Sequence, residues 1–485
     1  MYNYKKLLAL LMCLVMTVSF TACKKGSDSS DDSSPTSGTA NLVDFDDEDN
    51  VNVSGNSEAG AHTSSSGKSG KAGNESRSGN TSKVVFEGSK DPFANIPKRL
   101  KGSTVKFASW GDESSETYRK VMNAFTAKTG INVEIVNYSQ DSYSQSVATQ
   151  VVNKNSPDVV VGAKFPMIVE ILQPLQNIID LSDSFWDSDI TKMGTINGNS
   201  YLVNSWEGPW ESVDMVYYNK ELFTNNGLTT PLEYYKSGKW NYENYFKCAK
   251  EISALGLEGT IPNATTFSAQ MGYPIIQYDP ASQKCINNVK NVADGYKWKI
   301  QLLKAGVFKG GTWYMELANE QLGMFTTDLY GAKYNGYFSS MKKSALEMVP
   351  LPSSYNGKSM NQAVSTAFRA YGIAKGAKNP EGAAYFLRYF LDYKYYEAAK
   401  ADVFKNNAVK KMYFDTVIPI YKNSKNRVFV MHGEILFNAG YKFLDSFEVP
   451  LNAADESQVD TIIASQSNRF DDAVNKANES IGKLK

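Results

Sequence analysis

From residue 104 onward the apolar positions switch between two periods. Thr104 to Ser109 (TVKFAS) carries the two-residue period of a strand, and Trp110-Gly111-Asp112 ends it in a loop. Tyr118, Val121, Met122 and Phe125 then fall at i, i+3, i+4 and i+7, one face of an amphipathic helix, and Gly130 stops it. Ile131, Val133 and Ile135 alternate as a second strand. Tyr143, Val147 and Val151 line a second helix, and Pro157-Asp158 leads into the short apolar run Val159 to Val161. This strand–helix rhythm predicts an α/β fold whose sheet is open, mostly parallel and flanked by helices.

The pattern continues beyond residue 200. Val213 to Tyr218 is an apolar, strand-like run. Trp240-Asn241-Tyr242 opens a helix with Tyr242, Tyr245, Phe246, Ala249 and Ile252 on one face, and Trp240 is expected to anchor it. Phe267 to Tyr278, aromatic and broken by Gly and Pro, is expected to be a loop or a packed excursion. A helix follows around Val292 to Ala305. Glu320 to Tyr330 and Ala345 to Pro352 predict a helix end and two short strands, and Phe368 to Ala374 another strand. Asn379-Pro380-Glu381 has the chemistry of a helix start: Asn caps, Pro suits the first turn, and Glu favours the positive end. The remainder, to Lys485, is mostly helical in period, and no internal repeat is present.

The N-terminus has a different character. Lys5 and Lys6 precede an apolar run from Leu7 to Phe20, too short to span a bilayer comfortably and laid out like a secretory signal. It closes on Phe20-Thr21-Ala22-Cys23, small residues before a cysteine. From Gly26 to about Ser82 the chain is Ser, Gly, Asp, Asn and Thr, which cannot bury enough apolar surface to offset its entropy and predicts a flexible spacer.

Composition narrows the chemistry. The 485 residues leave room for two or three domains, and 42% apolar with 21% charged residues is an ordinary globular balance. Lys+Arg and Asp+Glu are both 51, so no basic field draws nucleic acid. Only 2 histidines occur, which removes the usual parts of zinc hydrolases and Ser-His-Asp enzymes. No cofactor is implied. Of the 4 cysteines, only Cys248 and Cys285 lie in the folded part, as buried free thiols or as a spatial pair.

What remains conspicuous is Ser205 to Phe223 (SWEGPWESVDMVYYNKELF). Trp206 and Trp210 flank Gly208-Pro209 and alternate with Glu207 and Glu211. Flat apolar faces beside acceptor oxygens suit a ligand with apolar faces and a hydroxyl rim, as a sugar ring has. The Gly-Pro break marks a turn or hinge. A structural role, the tryptophans anchoring a loop on the core, stands beside that. Gly310-Gly311-Thr312-Trp313-Tyr314 is a second coincidence of glycines and rings. In open α/β sheets ligands bind beyond the carboxyl ends of strands, which places Trp110, Asp112 and Lys164 near a cleft. Asp112 could equally cap a helix. The candidate ligand-binding set is Trp110, Asp112, Lys164, Trp206, Glu207, Trp210, Glu211, Trp313, Tyr314 and Asp328. An enzymatic alternative would use Glu207 and Glu211 as acid and base of a glycan hydrolase or lyase.

Three stretches carry a family resemblance: VYYNKELFTNNGL (Val216 to Leu228), GMFTTDLYGAKY (Gly323 to Tyr334) with MVPLP (Met348 to Pro352), and AYGIAKGAKNPEGAAYFLRYFL (Ala370 to Leu391). In this order they resemble the bacterial extracellular solute-binding proteins of family 1, the maltose-binding-protein type that serves ABC importers. Phe20 to Cys23 resembles the lipobox, with Phe20 where Leu is preferred. Such relatives often place an acid-base pair after the third strand, where Gly162-Ala163-Lys164-Phe165 stands here.

The resemblance implies a type II periplasmic-binding-protein fold of two α/β lobes with a helical C-terminal tail. By analogy the domains are 1–22 signal peptide, 23–98 lipid-anchored tether, 99–212 with 320–358 lobe 1, and 213–319 with 359–485 lobe 2. Crossovers are expected near Trp206 to Val213, Trp313 to Leu322 and Tyr355 to Val364. It further implies a non-enzymatic, monomeric receptor, held on the outer face of the cytoplasmic membrane by a palmitate-bearing Cys23. Such a receptor would capture a mono- or oligosaccharide and pass it to ABC permease subunits. A non-sugar solute, or sugar sensing, are alternatives of the same class.

Overall fold

The structure is a computed structural model. It describes residues 83–483 apart from 87–90, 111–115, 140–141, 162–167, 207–212, 311–313, 334–335, 363, 367–369, 400–403, 424–426, 431–446, 448–449 and 452–453. The signal, the tether and Cys23 therefore lie outside the described residues.

The elements that position the site are, in chain order, β1 (Thr104–Ser109), α1 (Glu116–Thr129), β2 (Asn132–Asn137), α2 (Tyr143–Val152), β3 (Val159–Val161), α3 (Ser188–Met193), β4 (Met215–Asn219), α4 (Tyr242–Ser253), β5 (Glu258–Ile261), α5 (Ala264–Gln270), α6 (Ala293–Lys304), β6 (Leu322–Thr327), β7 (Leu346–Val349), β8 (Val364–Thr366), β9 (Tyr371–Ile373), α7 (Pro380–Phe390), β10 (Val428–Val430) and α8 (Glu456–Gly482).

Two four-stranded sheets organise the two lobes. The first runs β9-β3-β1-β2, and the second runs β7-β4-β6-β5. In the first, β1 is parallel to β2 and β3, and β9 is antiparallel to β3. In the second, β6 is parallel to β5, while β4 is antiparallel to both β6 and β7. Each sheet thus has a single reversed strand, and it is the one that receives the chain from the other lobe. The chain leaves the first sheet after Val203, which bridges Tyr371, and enters the second at Met215. It returns between Val349 and Tyr371.

These pairings redraw the expected lobe boundaries. Residues 320–358 are expected in lobe 1 by resemblance, yet β6 and β7 flank β4 in the second sheet. Residues 359–485 are expected in lobe 2, yet β9 closes the first sheet. The crossover expected near Trp313 to Leu322 is not where the lobes exchange strands: Leu322 opens β6, which pairs with β5 in the second sheet, so both strands belong to one lobe. Strand propensity is local, whereas the choice of partner depends on contacts distant in sequence.

Local chemistry explains the individual elements. Tyr118, Val121, Met122 and Phe125 are all buried on α1, and Gly130, at φ 74, terminates it where an L side chain would be strained. All three valines of β3 are buried, as befits a strand between two others. The Asn379 side chain accepts from Gly382 N at 3.0 Å and caps α7, whose Phe386 and Phe390 pack on Phe107 of β1. In the second lobe Trp240 is buried and donates Nε1 to Pro350 O at 2.8 Å. Phe267 and Trp298 stack at 4.5 Å and 12°, an arrangement worth about 1 kcal/mol beyond the area buried. Phe267 therefore belongs to a helix, α5, capped by Asn263, and not to a loop. The aromatic pattern resembled a loop because the Gly and Pro that punctuate it follow the helix. Cys248 and Cys285 are buried, free thiols, and burial pushes both up to about 12.

The C-terminal region is more than a helical tail. α8 packs along α6 and the hairpin Ile276–Asp279/Lys284–Asn287. β10 pairs in parallel with β8, and Val364 O of β8 accepts Asp214 N at 2.9 Å. Three crossover strands therefore run side by side between the lobes.

Candidate functional site

The carboxyl ends of the parallel strands in both sheets, with the crossover segments between them, define the candidate site. On the first lobe β1 ends at Ser109, and half-buried Trp110 follows it. Tyr143 of α2 donates its hydroxyl to Ala108 O at 3.0 Å and accepts from Val161 N at 2.9 Å, stapling β1 to β3. Trp110 then packs edge-on against the same ring at 4.4 Å and 67°. The indole is held by the element that closes the strand ends.

On the second lobe the register Met215↔Thr327 puts Asp214 and Asp328 opposite each other, one step beyond the end of the β4–β6 pair. Asp328 caps the turn Leu329–Ala332, its Oδ1 accepting Tyr330 N at 2.9 Å. Asp214 turns inward and accepts from Thr266 Oγ1 at 2.7 Å. Burial pushes its carboxyl up to about 7; the Thr266 bond works against this and the nearby Asp328 charge adds to it. Tyr314 is half-buried, with its ring 4.3 Å from Tyr337 and 6.2 Å from Phe325, inside an aromatic cluster of this lobe.

At the crossover, half-buried Trp206 meets Tyr421 edge-on at 6.1 Å and 69°. The guanidinium of Arg427 lies 4.5 Å from the Trp206 ring and 4.3 Å from Tyr421. The Arg427 side chain is 2% exposed and binds Asp187 through two bonds, Nη1 to Oδ2 at 2.9 Å and Nη2 to Oδ1 at 2.8 Å. Its Nε also donates to Asp189 Oδ2 at 2.8 Å. Burial opposes ionisation of Asp189, but the bond and charge of Arg427 outweigh it and hold that carboxyl below the usual range.

The lobes touch on either side of these groups. Lys333 Nζ, in a buried residue, donates to Tyr118 OH of α1 at 3.1 Å. Tyr278 OH donates to Thr195 O, and Asn197 N to Gln283 Oε1, each at 3.1 Å. A cavity of about 250 Å³ opens between α3, residues 272–280 and the start of β10, with Arg427 in its wall.

Of the ten candidate residues, Trp110, Trp206, Tyr314 and Asp328 are described, at strand ends, at the crossover or in the adjoining aromatic cluster. Asp112, Lys164, Glu207, Trp210, Glu211 and Trp313 lie outside the described residues. Sequence reasoning missed Asp214, Tyr421 and Arg427. Asp214 had a signal, a lone carboxylate in the apolar run Val213 to Tyr218. Among the described residues, no group of three or more His, Cys, Asp or Glu side chains could hold a metal ion, and no helix is long and apolar enough to cross a membrane.

Two α/β lobes joined by adjacent crossover strands, with aromatic and carboxylate side chains between them, define a two-lobe binding protein. A family model described as bacterial extracellular solute-binding protein matches residues 110–397, more than half of the chain, and the chain belongs to that family. It is a family of binding proteins, located outside the cytoplasm, that serve ABC transporters. None of the curated proteins matches the sequence.

Solved structures share the fold at low identity. The galacto-N-biose/lacto-N-biose I-binding protein of an ABC transporter from Bifidobacterium longum, in complex with lacto-N-biose, superposes with a TM-score of 0.56 at 13% identity, covering 77% of this chain and 98% of that one. The GacH receptor of Streptomyces glaucescens, solved unliganded and with acarbose, gives 0.54 at 16% identity, covering 77% and 98%. A de novo designed esterase gives 0.54 at 14% identity, covering 77% and 99%.

Proposed function

We propose that this protein captures a mono- or oligosaccharide between its two lobes and delivers it to an ABC permease, held at the outer face of the cytoplasmic membrane through a diacylglyceryl-modified Cys23. The observation that carries the reading is Trp206, a half-buried indole at the crossover itself. A ring there is positioned to stack on the apolar face of a sugar, while Asp328 and the carboxylates at Glu207, Glu211 and Asp112 accept from its hydroxyls. Trp110, Trp210, Trp313 and Tyr314 supply further ring faces, and Lys164 a donor. Several structural relatives are named for bound saccharides, lacto-N-biose and acarbose among them, which supports the substrate class. Binding energy realised only when both lobes touch the ligand shifts the population toward a closed form.

The test is calorimetry of the purified protein against maltose, lacto-N-biose, acarbose, short peptides and polyamines. At least one saccharide is expected to bind, and Trp206→Ala to weaken it about tenfold, consistent with loss of one stacking contact. Tight binding of a peptide or polyamine with none of any saccharide would overturn the substrate class. Metabolic labelling with palmitate, lost in Cys23→Ala, checks the anchor.

A further inference from the structure

Trp206 does not stand alone, and what holds it comes from the far end of the chain. The guanidinium against its ring is fixed by Asp187, whose carboxylate takes a two-bonded fork, and by Asp189. A planar fork bonded in this way cannot swing as an ammonium would. Asp187 is itself fixed: its backbone N donates to Asn204 O at 2.8 Å, and its side chain caps α3. Trp186 bridges Ser205, the residue before Trp206. The anchor of the guanidinium and the strand that carries the indole are therefore one piece of the first lobe. Arg427 also immediately precedes β10, which belongs to the crossover bundle through β8.

We propose that Arg427 is a positioning residue for ligand capture: braced by Asp187 and Asp189, it sets the orientation of the Trp206 indole and ties it to the C-terminal crossover strand. This rests on the reading of Trp206 as a ligand platform. The guanidinium lies against the ring, Tyr421 meets it edge-on and the Lys422 ammonium lies 5.8 Å from its centroid, so groups of this C-terminal segment set the orientation of the indole. Ordering of that ring is completed in the free protein, and binding need not supply it. Lysine at 427 would keep the charge but lose the fork, leaving the ring free to rotate.

Two measurements test this. The first needs no ligand: acrylamide quenching of the Trp206 component of fluorescence, obtained as parent minus Trp206→Phe. That component is expected to be protected in the parent and about twofold more accessible in Arg427→Lys, with Asp189→Asn intermediate. Unchanged quenching in both variants overturns the proposal even if no saccharide binds.

The second is a double-mutant cycle on the affinity for whichever of maltose, lacto-N-biose or acarbose binds the parent. Arg427→Lys is expected to lose about tenfold with Trp206 present and less than twofold in a Trp206→Ala background. Losses that multiply would mean Arg427 acts independently of Trp206 and overturn the proposal. Trp206→Ala with unaltered saccharide affinity would also overturn it, leaving saccharide capture intact. Failure of every saccharide to bind the parent would instead count against the proposed function, and the quenching result then decides the role of Arg427 by itself.

Discussion

At the scale of single residues, Asp214 is the most informative. An unfolded aspartate gives up its proton near pH 4, whereas the folded carboxyl keeps it to about 7. Between those values the unfolded state binds fewer protons, so this residue makes the fold less stable as pH rises, and the penalty is complete above 7. Asp214→Asn removes it. The variant is expected to match the parent at pH 4 and to exceed it by about 4 kcal/mol at pH 8, in denaturant unfolding followed by circular dichroism. Parallel curves from pH 4 to 8 would show that the carboxyl is ionised in the fold. Asp214 was legible in principle, because a carboxylate in an apolar run must find a partner. Arg427 was not. Its carboxylate partners are Asp187 and Asp189, separated from it by 240 and 238 positions, and no local pattern joins them.

Elements were legible where their causes are local. The face of α1, the Asn-Pro-Glu start of α7 and the all-apolar β3 follow from spacing and capping within a few residues. Strand partners were not, because β6 could be placed in either sheet until its pairing with β4 and β5 was seen. One residue sets how closely the second sheet meets its helix. A Cβ on Gly259 of β5 would lie 2.2 Å from Ala249 O of α4, and backbone there cannot yield cheaply. Gly259→Ala is expected to cost about 3 kcal/mol by chemical denaturation. Gly482→Ala, where a Cβ meets nothing within 4 Å, is expected to be near neutral. Equal effects would mean that β5 and α4 are not in this close contact.

For the whole molecule, the two-lobe plan was legible through resemblance, while the division of the chain between lobes was not. The plan makes a measurable demand on ligand binding. A saccharide at a hundred times its Kd stabilises the fold by about 2.7 kcal/mol through mass action alone. If both lobes grip it, the scattering radius in solution should fall in the same titration. A rise in Tm with no change in radius would place the ligand on one lobe. The contacts of Lys333 with Tyr118 and of Tyr278 with Thr195 are the ones whose distances should respond.

β9 is the end strand of the first sheet, paired with β3 on one side and bridged by Val203 on the other. A ribosome delivers it only after every strand of the second sheet has emerged, at about 5–20 residues per second. During synthesis and export the amino-terminal half therefore waits with an unfilled slot, while the later half can already assemble. Order of manufacture and order of completion are inverted. Agents that trap unfinished chains should find their grip on residues 104–205.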